Sequence, residues 1–112
     1  MKIAVSAKGK NVKSEVSDVF GRSHYFIIAE IKDQKIEKTE AIENKSTDQI
    51  NGAGISTAQL MAEKNINAVI TGNVGPRALD VLKQFNIEVY FGSGAIKKVL
   101  QKFIDGKLEK IQ

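Results

Sequence analysis

The stretch Ala68-Val69-Ile70-Thr71-Gly72-Asn73-Val74-Gly75-Pro76-Arg77-Ala78-Leu79-Asp80-Val81-Leu82-Lys83-Gln84-Phe85 decides the fold. Its first three residues are a short apolar run, the profile of a strand buried on both faces. A glycine-containing turn separates them from Ala78, Val81, Leu82 and Phe85, which recur at i, i+3, i+4 and i+7 on one stripe of a helix. Pro76 suits the first helical position, where a missing N–H costs nothing. A buried strand, a glycine turn and an amphipathic helix in succession make the repeating half of a parallel α/β unit.

Toward the C-terminus the same unit returns. Residues 87–91 read as a strand, Gly92-Ser93-Gly94 as the turn, and Ile96, Val99, Leu100, Phe103 and Ile104 as the apolar stripe of a last helix. Asp105-Gly106 supplies a glycine stop. The polar residues 107–112 are expected to fray. Toward the N-terminus, residues 53–64 have a helical pattern with Ile55, Ala58 and Ala62 on one stripe and Met61 beside it. A polar loop, 43–51, precedes them. Residues 24–31 and 35–42 read as the two arms of a hairpin turning at 32–34. The charges Lys35, Glu37, Lys38 and Glu40 mark the second arm as an exposed edge. Residues 7–18 show no period and read as a loop, Val19 to Ser23 as a turn, and Ile3 to Val5 as the opening strand. The expected order is β, ββ, α, β, α, β, α. It describes one α/β domain over 1–106 with a mixed sheet, helices on both faces, and a polar tail at 107–112.

The 112 residues are 42% hydrophobic and 27% charged, an ordinary globular balance. The chain holds no cysteine, which excludes disulfides, a cysteine nucleophile and thiolate anchoring of a metal cluster. No apolar run nears the roughly 20 residues of a membrane span. The first residues turn polar too early for a signal peptide. A soluble cytoplasmic protein is the expectation. Lys plus Arg number 17 against 13 for Asp plus Glu, a net charge of +4, and all but two of those cations are lysine. Such a balance suits solubility, an anionic ligand or nucleic acid. Nucleic-acid surfaces more often cluster arginine with exposed aromatics, whereas this chain has two arginines and most of its seven aromatics sit inside apolar runs.

Three glycine turns precede helices: 51–54, 71–76 and 91–94. In open α/β sheets such turns gather at the carboxyl edge, where ligands bind. Each would offer unpaired helix N-terminal amides to an anion, with glycine letting the ligand approach the backbone. Glycine at such places also serves turn geometry alone. No dinucleotide fingerprint or P-loop is present. The only arginines, Arg22 and Arg77, each adjoin a glycine turn and would supply a forked cationic donor. The expected rim of the site is Gly21, Arg22, Gly52, Gly54, Gly72, Asn73, Gly75, Arg77, Gly92, Ser93 and Gly94. His24, the sole histidine, is the one candidate nitrogen ligand for a metal. No nucleophile-elbow sequence occurs, and none of Asp18, Asp33, Asp48, Asp80 and Asp105 lies inside a core strand, so hydrolysis and phosphoryl transfer are disfavoured.

Taken in order, 1–5, Phe20-Gly21-Arg22-Ser23-His24-Tyr25-Phe26, Gly52-Ala53-Gly54, Thr71 to Ala78 and Val89 to Gly94 resemble the dinitrogenase iron–molybdenum cofactor biosynthesis family. The resemblance covers roughly 1–106 and is closest to small stand-alone members. It implies a ribonuclease-H-like three-layer α/β/α fold with a mixed five-stranded sheet. It also implies non-catalytic binding or carriage of iron–sulfur or iron–molybdenum cluster precursors, with cofactor-assembly proteins as partners. Members tied to nitrogenase cofactor assembly often carry a histidine just before the Phe-Gly pair, where this chain has Val19. A nucleic-acid- or anionic-metabolite-binding module on the same scaffold is the alternative, and an interaction protein docking through the charged hairpin edge is a third.

Overall fold

A computed structural model describes residues 1–111. The strands are β1 (Lys2–Ala7), β2 (Tyr25–Lys32), β3 (Lys35–Glu43), β4 (Ala68–Thr71) and β5 (Glu88–Phe91). The helices are α1 (Ala53–Glu63), α2 (Pro76–Gln84) and α3 (Ile96–Ile104), with a single 3-10 turn at Lys45–Asp48. The five strands form one mixed sheet in the order β3-β2-β1-β4-β5. β4 and β5 run parallel to β1, whereas β2 is antiparallel to both its neighbours. This is the α/β architecture expected from the sequence.

β1 is central and buried on both faces. Its alternation divides the core in two, because successive strand residues point to opposite sides. Ala4 faces Phe20, Phe26, Ala58, Met61, Val69 and Leu82 in a cluster beneath α1 and α2. Ile3, Val5 and Ala7 face Ile70, Ile96, Val99 and Leu100 beneath α3. β3 is exposed along almost its whole length, as its charges foretold.

Each helix ends in a left-handed residue that releases the chain: Asn65 (φ 59°), Asn86 (φ 60°) and Gly106 (φ 71°). Pro76 occupies the start of α2 as expected. Two details of the helical stripes differ. In α1 the buried residues are Ala53, Thr57, Ala58 and Met61, while Ile55 and Ala62 are half-buried. A threonine can turn inward there because its hydroxyl donates to Ala53 O at 2.7 Å. Phe85 is 51% exposed, because α2 ends one residue earlier and Leu82 and Ile87 fill the core in its place.

Two segments expected to be irregular are tied down. Residues 8–15 have no helical or strand period, yet their backbone closes on itself just past β1 and binds the start of α3. Lys8 N donates to Glu15 O, and Val12 O and Ser14 O accept from Lys97 N and Ile96 N. The tail beyond Gly106 does not fray through Ile111: Phe91 N donates to Glu109 O at 2.9 Å and Ile111 N to Val89 O at 2.7 Å, covering the outer edge of β5. Gln112 lies outside the described residues.

A charged clasp reinforces the tail. Lys110 Nζ donates to Glu88 Oε2 at 3.0 Å, and the Tyr90 hydroxyl donates to Glu88 Oε1 at 3.0 Å. The Lys110 hydrogen bond, helped by that of Tyr90, holds the Glu88 carboxyl below its ordinary value. The bond to Glu88 raises Lys110. Burial, then the same carboxylate, raises Tyr90. Glu88 therefore contributes above its unfolded-state pKa and loses that contribution as pH falls through the folded value. Lys110 contributes below its unfolded-state pKa and loses it as pH rises through the folded value. Protection of the Phe91 and Ile111 amides, taken relative to an unstructured peptide at the same pH, is expected to be highest near neutral pH and to fall in acid. Glu88→Gln should abolish the acid step; an unchanged acid limb in that variant would refute the clasp.

Candidate functional site

The topology delivers three separate loops to one edge of the sheet. β1 and β4 end there at Ala7 and Thr71. Because β2 is antiparallel, its first residue, Tyr25, opposes Ala7, which brings the preceding Phe20-Gly21-Arg22 turn to the same edge. Glu43, at the end of β3, opposes Tyr25 and brings the 44–52 loop as well. Between these loops and the starts of α1 and α2 lies a cleft of about 360 Å³, at the small end of ligand pockets.

Five residues of the expected rim line this cleft: Gly21, Gly52, Gly54, Gly75 and Arg77. Ile55, Pro76 and Ala78 complete it. Gly21 is there because only backbone fits: a Cβ on it would stand 2.6 Å from Gly54 Cα and 2.7 Å from Gly54 N. Gly54 in turn lets α1 approach α2, where a Cβ would meet that of Ala78 at 3.2 Å. Gly52 takes φ +77° at the head of α1. Gly75 differs from the other eight glycines. Its φ of −69° and ψ of 158° suit any residue, and a Cβ there would meet nothing within 4 Å. Neither backbone conformation nor packing requires glycine at this place in the wall of the cleft.

Both helices open into the cleft without a side-chain cap. The first intrahelical bonds run from Ser56 N to Gly52 O and from Leu79 N to Gly75 O. The amides of Ala53, Gly54, Ile55, Arg77 and Ala78 precede or flank them and have no hydrogen-bond partner among the described residues. Unpaired N–H groups and the positive ends of two helix dipoles thus share one concavity. Arg77 adds an exposed guanidinium. The lining offers donors and no thiolate, imidazole or carboxylate. It suits a preformed anion gripped by hydrogen bonds, not a metal bound directly to protein atoms.

The remaining rim residues lie elsewhere. Arg22 turns away: Nη1 donates to Thr47 O and Gln49 O, both at 2.6 Å, and Nη2 to Ile50 O at 3.3 Å. Its fork braces the 47–50 loop and is already satisfied. Gly72 and Gly92 are packing glycines. A Cβ on the first would stand 2.7 Å from Asp18 Cα, and on the second 2.5 Å from Ile70 Cγ2. Neither they nor Asn73, Ser93 and Gly94 line the cleft. The third helix terminus is closed, because the carbonyls of Val12 and Ser14 occupy the first amides of α3. His24 is exposed beside the 44–52 loop, outside the cleft lining, and the described residues contain no cluster of three His, Cys, Asp or Glu side chains able to hold a metal.

Sequence reasoning missed Asn44, which organises the edge. It is 2% exposed. Its Nδ2 lies 2.9 Å from Ser23 O, 3.1 Å from Thr57 Oγ1 and 3.2 Å from Gly21 O, and its Oδ1 accepts from Ser46 N. One buried amide therefore joins the Gly21 turn, the loop and α1. In the sequence it is one polar residue in a polar stretch.

A protein of Methanocaldococcus jannaschii of uncharacterised function is 38% identical over 100 residues, covering 88% of this chain and 85% of its own. The apo form of the orange protein of Desulfovibrio gigas superposes with a TM-score of 0.90 at 30% identity, covering 97% of this chain and 91% of its own. A NifB-like protein of Thermotoga gives 0.83 at 32% identity, covering 98% and 92%. Residues 1–106 match the family described as dinitrogenase iron-molybdenum cofactor. With so long a match and relatives this similar across nearly their full length, the chain belongs to the dinitrogenase iron–molybdenum cofactor family.

Proposed function

We propose that this protein is a non-catalytic carrier that holds an anionic iron–sulfur or iron–molybdenum cofactor precursor, as cargo, in the cleft between the starts of α1 and α2. The observation that carries the reading is the cleft itself: two uncapped helix N-termini and Arg77 around a space bounded by Gly75, a glycine that neither its φ/ψ nor its packing requires. Donors without protein acceptors favour negative charge, and backbone exposed by glycine lets a bulky anion come close. A carrier must also release its cargo, and hydrogen bonds are reversible where thiolate bonds are slow to give way. The reading narrows the rim to Gly21, Gly52, Gly54, Gly75 and Arg77, and gives His24 no part unless cargo loading requires it. It takes the setting as cytoplasmic and the partners as cofactor-assembly proteins. The strand order, with β2 alone reversed, supports the ribonuclease-H-like description of the fold.

The test is anaerobic loading from a cluster-precursor extract, followed by re-isolation and measurement of bound iron, bound molybdenum and the visible spectrum. Gly75→Val should lose loading while its stability falls by no more than about 1 kcal/mol, the cost of a poorer residue at the start of α2. Arg77→Ala should weaken binding about tenfold, or about 1.4 kcal/mol. Loading of Gly75→Val equal to that of the native protein overturns the site. Loss of metal on His24→Ala alone would move the cargo out of the cleft.

A further inference from the structure

We infer that Asn51-Gly52, at the mouth of this cleft, is a self-modification site whose conversion turns anion binding down. Asn51-Gly52 is the sole Asn-Gly pair in the chain. The other asparagines precede Val12, Lys45, Ile66, Ala68, Val74 and Ile87. A side chain on the following residue obstructs attack by its amide nitrogen, and glycine removes that obstruction. The structure adds what the reaction needs. Asn51 and Gly52 are both exposed. Space is open where a Cβ of Gly52 would stand. Neither the Asn51 side chain nor the Gly52 amide has a hydrogen-bond partner among the described residues, although Arg22 pins the chain at Ile50 O, one residue earlier. Asp105-Gly106, open to the same ring closure, contrasts with it: the Gly106 amide is engaged by Phe103 O at 3.1 Å.

The chemistry needs only water. The deprotonated Gly52 nitrogen attacks Cγ of Asn51 and closes a succinimide. The Cγ–Nδ2 bond breaks, and the side-chain nitrogen leaves as ammonia with the proton returned to it. Water then opens the ring at either carbonyl. One opening gives aspartate, and the other gives isoaspartate with an extra methylene in the backbone. Both put a carboxylate next to Gly52, one residue before α1 begins. A negative charge there is favoured by the helix dipole and competes with cargo for the same amides. This effect on binding rests on the function proposed above; the conversion itself does not.

The whole protein is incubated at mildly alkaline pH beside a denatured sample and digested with trypsin. The peptide 46–64 is expected to gain one mass unit and split into aspartate and isoaspartate forms. Its rate should be comparable in the folded and denatured samples, while peptides carrying the other asparagines lag behind. Asn51→Gln should stay unconverted. With molybdate as probe, Asn51→Asp should bind about tenfold more weakly than the native protein. A folded-state rate far below the denatured rate, or faster conversion at another asparagine, overturns the site. Equal molybdate affinity of Asn51→Asp and the native protein overturns its effect on binding. Failure of the native protein to bind any anion would instead remove the carrier reading, with conversion at Asn51 still read from the mass and from isoaspartate.

Discussion

Phe20→Ala is expected to cost about 3–5 kcal/mol, the range for emptying a buried aromatic site, and to lower Tm by on the order of 15–20 °C. Phe20 is 2% exposed although it sits in a turn between two polar segments. Its ring meets Phe26 edge-on at 5.6 Å between centroids, in the cluster beneath α1 and α2. The turn cannot collapse into the space left behind, because Gly21 already touches the backbone of α1. The cavity should therefore persist and the cost should lie high in the range. The neighbouring Val19 is 43% exposed, and Val19→Ala should cost no more than about 0.5 kcal/mol. Denaturant unfolding of the two variants checks this. Similar midpoints would mean that Phe20 is not the anchor of the turn.

The contrast between Phe20 and Val19 also marks where sequence stops being informative. Ile96, Val99 and Leu100 announce their helix by spacing alone, because burial acts on side chains and side chains are what a sequence records. Strands β1 and β4 are legible for the same reason. The loop over residues 8–15 is not legible: it holds α3 through the carbonyls of Val12 and Ser14, and every residue has a carbonyl. The docking of the tail on β5 is hidden in the same way. So is the closure of the α3 terminus, which makes two open helix starts out of the three that glycine turns suggest. Arg22 was visible as a cation beside a glycine, but not as a brace, since its acceptors are backbone atoms 25 to 28 residues away. The cleft was half legible: glycines marked its walls, whereas the reason for each glycine came only from what its missing Cβ would have struck.

Gly21→Ala puts that reason to the test and joins stability to binding. The added methyl would stand 2.6–2.7 Å from Cα and N of Gly54. Those are backbone atoms in the first turn of α1, and no rotamer change can move them. Either the turn or the helix must shift, at a cost of about 1–3 kcal/mol for such overpacking. The shift cannot stay local, because Gly21 O lies within 3.3 Å of both Asn44 Nδ2 and Thr57 Oγ1, which tie the turn to the loop and to α1. Moving Gly21 outward strains both contacts, and moving α1 displaces the amides of Ala53, Gly54 and Ile55 from the cleft. Gly21→Ala should therefore lose cargo loading along with stability, whereas Gly75→Val loses loading with only the small cost of a poorer N-cap. Gly9→Ala is the matched control: its methyl would press on the hydroxyl of Ser14, the end of a side chain that can rotate away. That variant should unfold within about 0.5 kcal/mol of the native protein. If Gly21→Ala matches Gly9→Ala in unfolding midpoint and still loads metal, then the contact between Gly21 and Gly54 does not shape the cleft. The anion would then have to be sought away from the start of α1.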